Sequence, residues 1–270
     1  MSSNTMKLAA CKWLFVIWLC VFNIPLAWSS PATHWQSLAP GLAYARLEDF
    51  PTFPQGYLHA FRIDLAHYQL RVSPVVIQPL SAQFAQLYKT HQALLVVNGG
   101  FFVTRVTGLT SLGLRIDQYN VLSPPRKTKW WDIFYIKNQH AYIVPNGQFS
   151  LTPAIDFALQ AGPRLIVDRR VASILKAGSD ARTAVCIQSP QQIVIVATEN
   201  VLLSTQGLAE IFQRTEAQGG LNCQQALNLD GGHSTQLYAQ IGDFSLQVLG
   251  YSRVADMLWV SPRADKSLPR

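Results

Sequence analysis

The sequence predicts a mixed α/β (α+β) fold, a single domain with a central mixed β-sheet flanked by a few helices. Three observations lead there. Short runs with strand character far outnumber helical patterns. The order strand–helix–strand occurs at least twice, as it does when helices cover a sheet. Two apolar runs end in a polar residue and two glycines, at the strand ends where such sheets present their chemistry.

The chain has 270 residues, 49% of them hydrophobic. That supports one sizeable core and does not have the composition of a disordered chain. Residues 1–29 stand apart. Lys7 and Lys12 precede an apolar run over residues 13–22, and Ala27-Trp28-Ser29 places small residues where a signal peptidase reads. Asn23 and Pro25 keep the run short of the roughly 20 apolar residues that a span needs. The reading is a secretory signal removed after Ser29, leaving no membrane span; an uncleaved anchor is the alternative. The exported chain is then periplasmic or secreted. Removing two lysines and no acids takes the net charge from +7 to +5. A moderately basic protein favours anionic substrates, and no zinc-finger, RNP-type or dense basic helical motif points to nucleic acid.

Residues 30–55 are rich in Pro and Ala and read as a lead-in segment, with a first strand within residues 35–44. The folded domain spans residues 56–262. Residues 57–65 and 68–75 alternate apolar and polar positions and, separated by a short gap, suggest a hairpin. Ser81 is placed to cap a helix carrying Phe84, Leu87 and Tyr88. Residues 93–97 are wholly apolar, the pattern of a buried strand, and run into Asn98-Gly99-Gly100. Strands are expected over residues 111–116, 131–136, 141–144, 165–167 and 184–187. Residues 192–198 (QIVIVAT) carry the strongest strand pattern. Ser204 caps the strongest helix, whose stripe is Leu208, Ile211 and Phe212, with Gly219-Gly220 ending it. Residues 226–229 form another buried strand before Asp230-Gly231-Gly232. The chain from Ser261 is polar and expected to fray, leaving residues 263–270 as a tail.

The two strand-end turns share one design. Paired glycines allow left-handed backbone and close approach of a ligand to the amides, and exposed N–H groups in such a turn make an anion-binding concavity. Arg164 and Arg182 stand at the starts of apolar runs, and a guanidinium fork matches phosphate geometry. Gly232-His233-Ser234 resembles part of a serine-hydrolase elbow. That motif wants glycine two residues after the serine, where this chain has Gln236, and no histidine follows His233. A serine esterase using Ser234 is therefore a secondary reading. The six histidines form no paired metal motif, and no dinucleotide or phosphate-loop fingerprint occurs, so neither a cofactor nor a metal is expected. Cys186 and Cys223, the two cysteines after residue 29, are expected to pair as a disulfide in an oxidising compartment.

Four segments in order, Asn98-Gly99-Gly100-Phe101-Phe102, Gly162-Pro163-Arg164-Leu165, Arg182-Thr183-Ala184 and residues 226–234 (ALNLDGGHS), resemble the phosphodiester glycosidase family. The resemblance implies hydrolysis of a glycosyl-1-phosphodiester, releasing sugar and a phosphomonoester from a sugar-phosphate or phosphorylated glycan. Asp230 would then be the carboxylate that activates water or stabilises the oxocarbenium-like sugar, with Arg182 and Asn98 beside it. Gly99, Gly100, Arg164, Thr183, Asn228, Gly231, Gly232, His233 and Ser234 would bind the substrate and its phosphate. Most relatives carry glycine where this chain has His233. A phosphate leaves more readily than an alcohol, so stabilising its charge matters more than a strong acid. A non-catalytic envelope protein that binds phosphorylated polysaccharide, or assists its export, would use the same residues. All of these readings require the Asn98 and Asp230 strand ends to meet in one cleft with Arg182 pointing in.

Overall fold

The computed structural model describes residues 31–48, 50, 55–74 and 80–263. The segment read as a signal lies outside these residues, as does all but the first residue of the polar tail. Three sheets enclose the core. An eight-stranded sheet runs, in spatial order, Gln36–Ala39, Leu42–Leu47, Tyr57–Asp64, Gln192–Glu199, Thr183–Ser189, Gln225–Asn228, Arg164–Val167 and Arg170–Val171. A five-stranded sheet runs Phe244–Val248, Leu237–Ile241, Leu95–Asn98, Asp256–Pro262 and Tyr68–Pro74. The other five-stranded sheet runs His140–Pro145, Asp132–Lys137, Ile155–Ala161, Arg115–Asp117 and Asn120–Ser123.

Among the described residues the fold is dominated by sheet, with two α-helices, Leu80–His91 and Thr205–Gln213. Every strand pairing described is antiparallel, which corrects the expected mixed sheet. The strand–helix–strand alternation is present, but each helix carries the chain over one intervening strand. Gln192–Glu199 and Gln225–Asn228 both pair with Thr183–Ser189. Tyr68–Pro74 and Leu95–Asn98 both pair with Asp256–Pro262. The strands joined by each helix are parallel to each other without being hydrogen-bonded neighbours.

The central core is shared by the three sheets. Phe61, Ile63, Ile193 and Ile195 enter from the first, Leu95, Val97 and Leu258 from the second, and Phe134, Phe157 and Leu159 from the third. The helices cover outer faces: Leu208 and Phe212 share one apolar cluster with Leu165, Ile166, Val194 and Val196, and Leu87 shares another with Val96, Tyr238 and Trp259. With both faces covered, residues 193–197 (IVIVA) are apolar without interruption. Cys186 and Cys223 form a disulfide on the helix-covered side of the eight-stranded sheet.

The expected hairpin over residues 57–75 does not form. Tyr57–Asp64 pairs within the eight-stranded sheet and Tyr68–Pro74 pairs with Asp256–Pro262 in another. The Asp64 carboxylate accepts from Ala66 N–H at 2.8 Å and closes the turn. The chain then crosses the core, so that Leu70 and Val72 face the same interior as Phe61 and Ile63. The expected strand over residues 111–116 is split between two sheets around Gly113, whose φ is +85°. Ser81 lies inside its helix, which begins at Leu80, and is not its cap. Ser204 does cap the second helix, accepting from Gly207 N–H at 2.9 Å. That helix stops at Gln213, and Gly219 instead ends the short 3-10 turn Glu216–Gln218. Ser261 and Pro262 belong to the last strand, so fraying does not begin at Ser261.

Candidate active site

The site is built where strands of two sheets end side by side. Leu95–Asn98 delivers the Asn98 turn and Gln225–Asn228 the Asp230 turn. Asn98 Nδ2 donates to the Asp230 carbonyl at 2.8 Å, and Asp230 N–H donates to the Gly99 carbonyl at 3.2 Å. The two glycine turns are thus directly joined. Asn98 is fully buried. Its Oδ1 accepts from Thr183 Oγ1 at 2.7 Å and from Gln236 N–H at 3.2 Å. Asn98 and Thr183 therefore brace the two sheets beneath the turns. Asn228, also buried, donates to the carbonyls of Gly162 at 3.2 Å and Leu229 at 2.6 Å.

A buried ion pair supports the Asn98 turn from below. Asp256 is 0% exposed and Arg115 1%. Arg115 Nε lies 2.9 Å from Asp256 Oδ2. Asp256 Oδ1 accepts from Gly100 N–H at 2.9 Å, and the Asp256 carbonyl accepts from Gly99 N–H at 3.0 Å. A side chain at Gly99 would overlap Asp256 Oδ1, and one at Gly100 would overlap Arg115 Nη2. Close backbone approach is thus the use of these two glycines. A buried charge pair of this kind needs hydrogen bonds to all sides. Arg115 Nη1 supplies three, to the carbonyls of Leu112, Leu114 and Gln160, while its buried Nη2, packed under Gly100, has no acceptor among the described residues.

The Asp230 side chain is half-buried and accepts from Gly231 N–H at 3.0 Å. Burial pushes its carboxyl above the usual carboxylate range. Hydrogen bonds from Ser234 and Gly231 act against the rise, and the nearby Asp256 and Asp180 carboxylates add to it. Gly232 takes a left-handed φ of +62° and faces the Asp180 carboxylate. A Cβ at Gly231 would sit 2.6 Å from the Ala181 carbonyl. Two carboxylates, Asp230 and Asp180, therefore stand around one glycine turn. His233 is exposed beside Tyr251, and Ser234 Oγ lies 3.4 Å from Ser252 Oγ.

The arginines divide. Arg182 extends from the strand edge beside this turn, where burial lowers its pKa and the Asp180 carboxylate opposes the shift. Its Nε donates to the Leu203 carbonyl and its Nη2 to the Gly178 carbonyl, each at 2.7 Å. Much of its fork is thus spent holding the 178–182 segment. Arg164 pairs with Asp132 at 2.8 Å and donates to the Ile143 carbonyl at 2.9 Å, which ties two sheets together. Among the described residues no group of three or more His, Cys, Asp or Glu is placed to hold a metal ion.

Sequence reasoning missed Asp180, Arg115, Asp256 and Ser252. Asp180 lies two residues before Arg182, inside a segment already singled out, yet one acid next to a strand carries no pattern. Arg115 and Asp256 are 141 residues apart, and only the fold makes them partners.

The phosphodiester glycosidase family model matches residues 91–260, more than half of the chain. A hypothetical protein from Synechocystis has the same fold, with a TM-score of 0.58 and 16% identity over 86% of this chain and 64% of that one. This chain therefore spans less than two thirds of that protein. The catalytic domain of zebrafish N-acetylglucosamine-1-phosphodiester alpha-N-acetylglucosaminidase, auto-inhibited by its pro-peptide, aligns with a TM-score of 0.57 and 13% identity, over 86% of this chain and 89% of that one. At such identities the likeness is one of fold. No curated protein matches the chain.

Proposed function

Because the chain belongs to the phosphodiester glycosidase family, we propose that it is an exported hydrolase that cleaves a glycosyl-1-phosphodiester in a phosphorylated glycan. The observation that carries this reading is the joined pair of glycine turns, which sets a half-buried carboxylate, Asp230, beside backbone amides and a second acid, Asp180. Water attacks the anomeric carbon and gives its proton to Asp230, and the bond from that carbon to the bridging oxygen breaks. The phosphate departs as a monoester with the electron pair. A raised pKa suits a carboxylate that must take up a proton. Charge on the departing phosphate is met by the His233 N–H, since those of Gly231, Gly232 and Ser234 are given to Asp230 Oδ1 and to the Ala181 and Gly231 carbonyls, and by the remaining donor nitrogen of Arg182, Nη1. His233, exposed beside Tyr251, would contact the group beyond the phosphate.

Buried Asn98, Thr183 and Asn228 act in this scheme by holding the turns. The domain arrangement that goes with it is a signal over residues 1–29, a lead-in over 30–55, the catalytic domain over 56–262 and a tail over 263–270. Tyr57–Asp64 in the middle of the largest sheet supports a domain that begins before the family match. The Cys186–Cys223 disulfide is consistent with export.

The test is a panel of sugar-1-phosphodiesters incubated with the purified protein and with Asp230→Asn, with release of free sugar and phosphomonoester measured. Turnover by the wild type and at least a hundredfold loss in the variant are expected from removal of a general base. Equal turnover by both would remove Asp230 from the mechanism, and no turnover of any diester would favour a binding protein.

A further inference from the structure

The loop over residues 124–131 (PPRKTKWW) has no part in the chemistry above, yet it is built against the site from two sides. The Trp131 ring stacks on Phe101 with centroids 5.0 Å apart, immediately after the Gly99-Gly100 turn. Gly162 lacks a side chain where the Trp130 carbonyl comes in, and the Gly162 carbonyl holds Asn228, two residues before Asp230. The loop is also fixed from beneath. Fully buried Gln160 accepts from Arg126 N–H and donates to the Arg126 carbonyl, each at 2.8 Å, and Asn146 donates to the same carbonyl at 3.0 Å.

What this frame presents outward is positive charge and an indole. Arg126, Lys127 and Lys129 are exposed, and none forms an ion pair among the described residues. Arg126 lies over the Trp131 ring at 5.7 Å, and Trp130 is 65% exposed. Lys127, Lys129, Asp132 and Asn146 line an open cavity of about 570 Å³, large enough for sugar units. An exposed indole face offers an apolar platform to a pyranose ring, while lysines meet phosphates as point charges. Alternating sugar and phosphate is the ligand that uses both.

We infer that the 124–131 loop is a subsite for a strand of anionic, phosphodiester-linked polysaccharide, which it holds beside the Asp230 turn. The inference rests on the proposed phosphodiester hydrolysis for its choice of ligand, and it makes the preferred substrate a polymer instead of a single sugar phosphodiester.

The test measures binding by calorimetry in the Asp230→Asn protein, so that turnover does not intervene. The probes are a hexamer of N-acetylglucosaminyl phosphate repeats, an uncharged N-acetylglucosamine hexamer, and phosphatidylglycerol vesicles. At low salt the anionic hexamer should bind about tenfold tighter than the neutral one, with most of that margin lost at 1 M salt. Added to that background, Lys127→Gln/Lys129→Gln should weaken the anionic hexamer by roughly three- to tenfold, and Trp130→Ala by a similar factor. Equal binding of the two hexamers, no response to either set of substitutions, or vesicle binding tighter than the anionic hexamer would each overturn the subsite. The two readings fail separately. Loop-dependent binding of the anionic hexamer, with no diester hydrolysed by the wild type, would sink the enzyme and leave the subsite standing. Hydrolysis of a single-repeat diester without loop-dependent binding would do the reverse.

Discussion

Replacing Asp256 with Asn probes the support beneath the site with almost no change in shape. The asparagine keeps an oxygen for Gly100 N–H, which donates to Asp256 Oδ1 at 2.9 Å. Its amide nitrogen then faces Arg115 Nε, which sits 2.9 Å from Oδ2, so a donor meets a donor. Arg115 is 1% exposed, so water cannot replace the lost partner. Breaking one side of such a buried pair costs about 3–5 kcal/mol. For a domain of this size each kcal/mol lowers Tm by roughly 2–4 °C, so a fall of about 6–20 °C is expected. Urea unfolding followed by tryptophan fluorescence measures the free-energy loss, and thermal unfolding followed by far-UV dichroism measures the fall in Tm. The control is Arg115→Met/Asp256→Asn, which removes both charges. It should lose less than the two single variants summed, since each single variant leaves one charge unpaired, while Met still gives up the Arg115 bonds to the Leu112, Leu114 and Gln160 carbonyls. A loss below about 1 kcal/mol in Asp256→Asn, or a double variant whose loss equals the sum of the two singles, would refute the reasoning.

Other outcomes follow from the same structure. The Cys186–Cys223 bond spans 37 residues, and Cys186→Ala/Cys223→Ala should lose about 3–4 kcal/mol in the chain-entropy picture, read from urea midpoints without reductant. His59 is buried between Tyr44 and Glu199, and burial lowers its pKa from 6.5. Below pH 6.5 the unfolded chain takes up a proton that the folded one refuses. Stability should therefore fall as pH drops from 6.5 towards the folded pKa, and His59→Gln should flatten that slope in urea titrations. Burial raises Asp230 above 3.8. Its contribution to stability is full below pH 3.8 and is lost as pH rises through the folded pKa. Asp230→Asn should thus be more stable than wild type at pH 7, with the gap closing in acid. The acid limb of kcat/KM should also lie above pH 3.8 if this group is the base.

Much of the local structure was legible. The strand over residues 192–198 and the helix capped by Ser204 form where expected, the first through its apolar run and the second through its apolar stripe and N-cap, though the helix ends before its expected glycines. The two glycine turns were recognisable because paired glycines after an apolar strand mark a place where something must come close. Four of the longer strands left no usable trace. Ile155–Ala161 and Asp256–Pro262 carry the buried polar residues Gln160, Asp256 and Ser261, which break the apolar run that a buried strand otherwise displays. Leu237–Ile241 and Phe244–Val248 meet in a tight hairpin turn whose pattern is too short to separate from a loop. The hairpin expected over residues 57–75 failed for another reason. Alternation says which face of a strand is buried, and it does not say which strand will pair beside it.

By itself the sequence determined the family motifs, the acid-glycine-glycine turn, the cysteine pair and the predominance of strands, since these depend on residues close together or on composition. Only the tertiary structure decided that Asn98 and Thr183 lie buried as braces, that Asp180 stands over Gly232, and that Arg115 and Asp256 meet under the Gly99-Gly100 turn. Hydrogen bonds and ion pairs are satisfied by distance in space, and residues 85, 141 or 156 positions apart become neighbours only when strands of separate sheets are packed on one core.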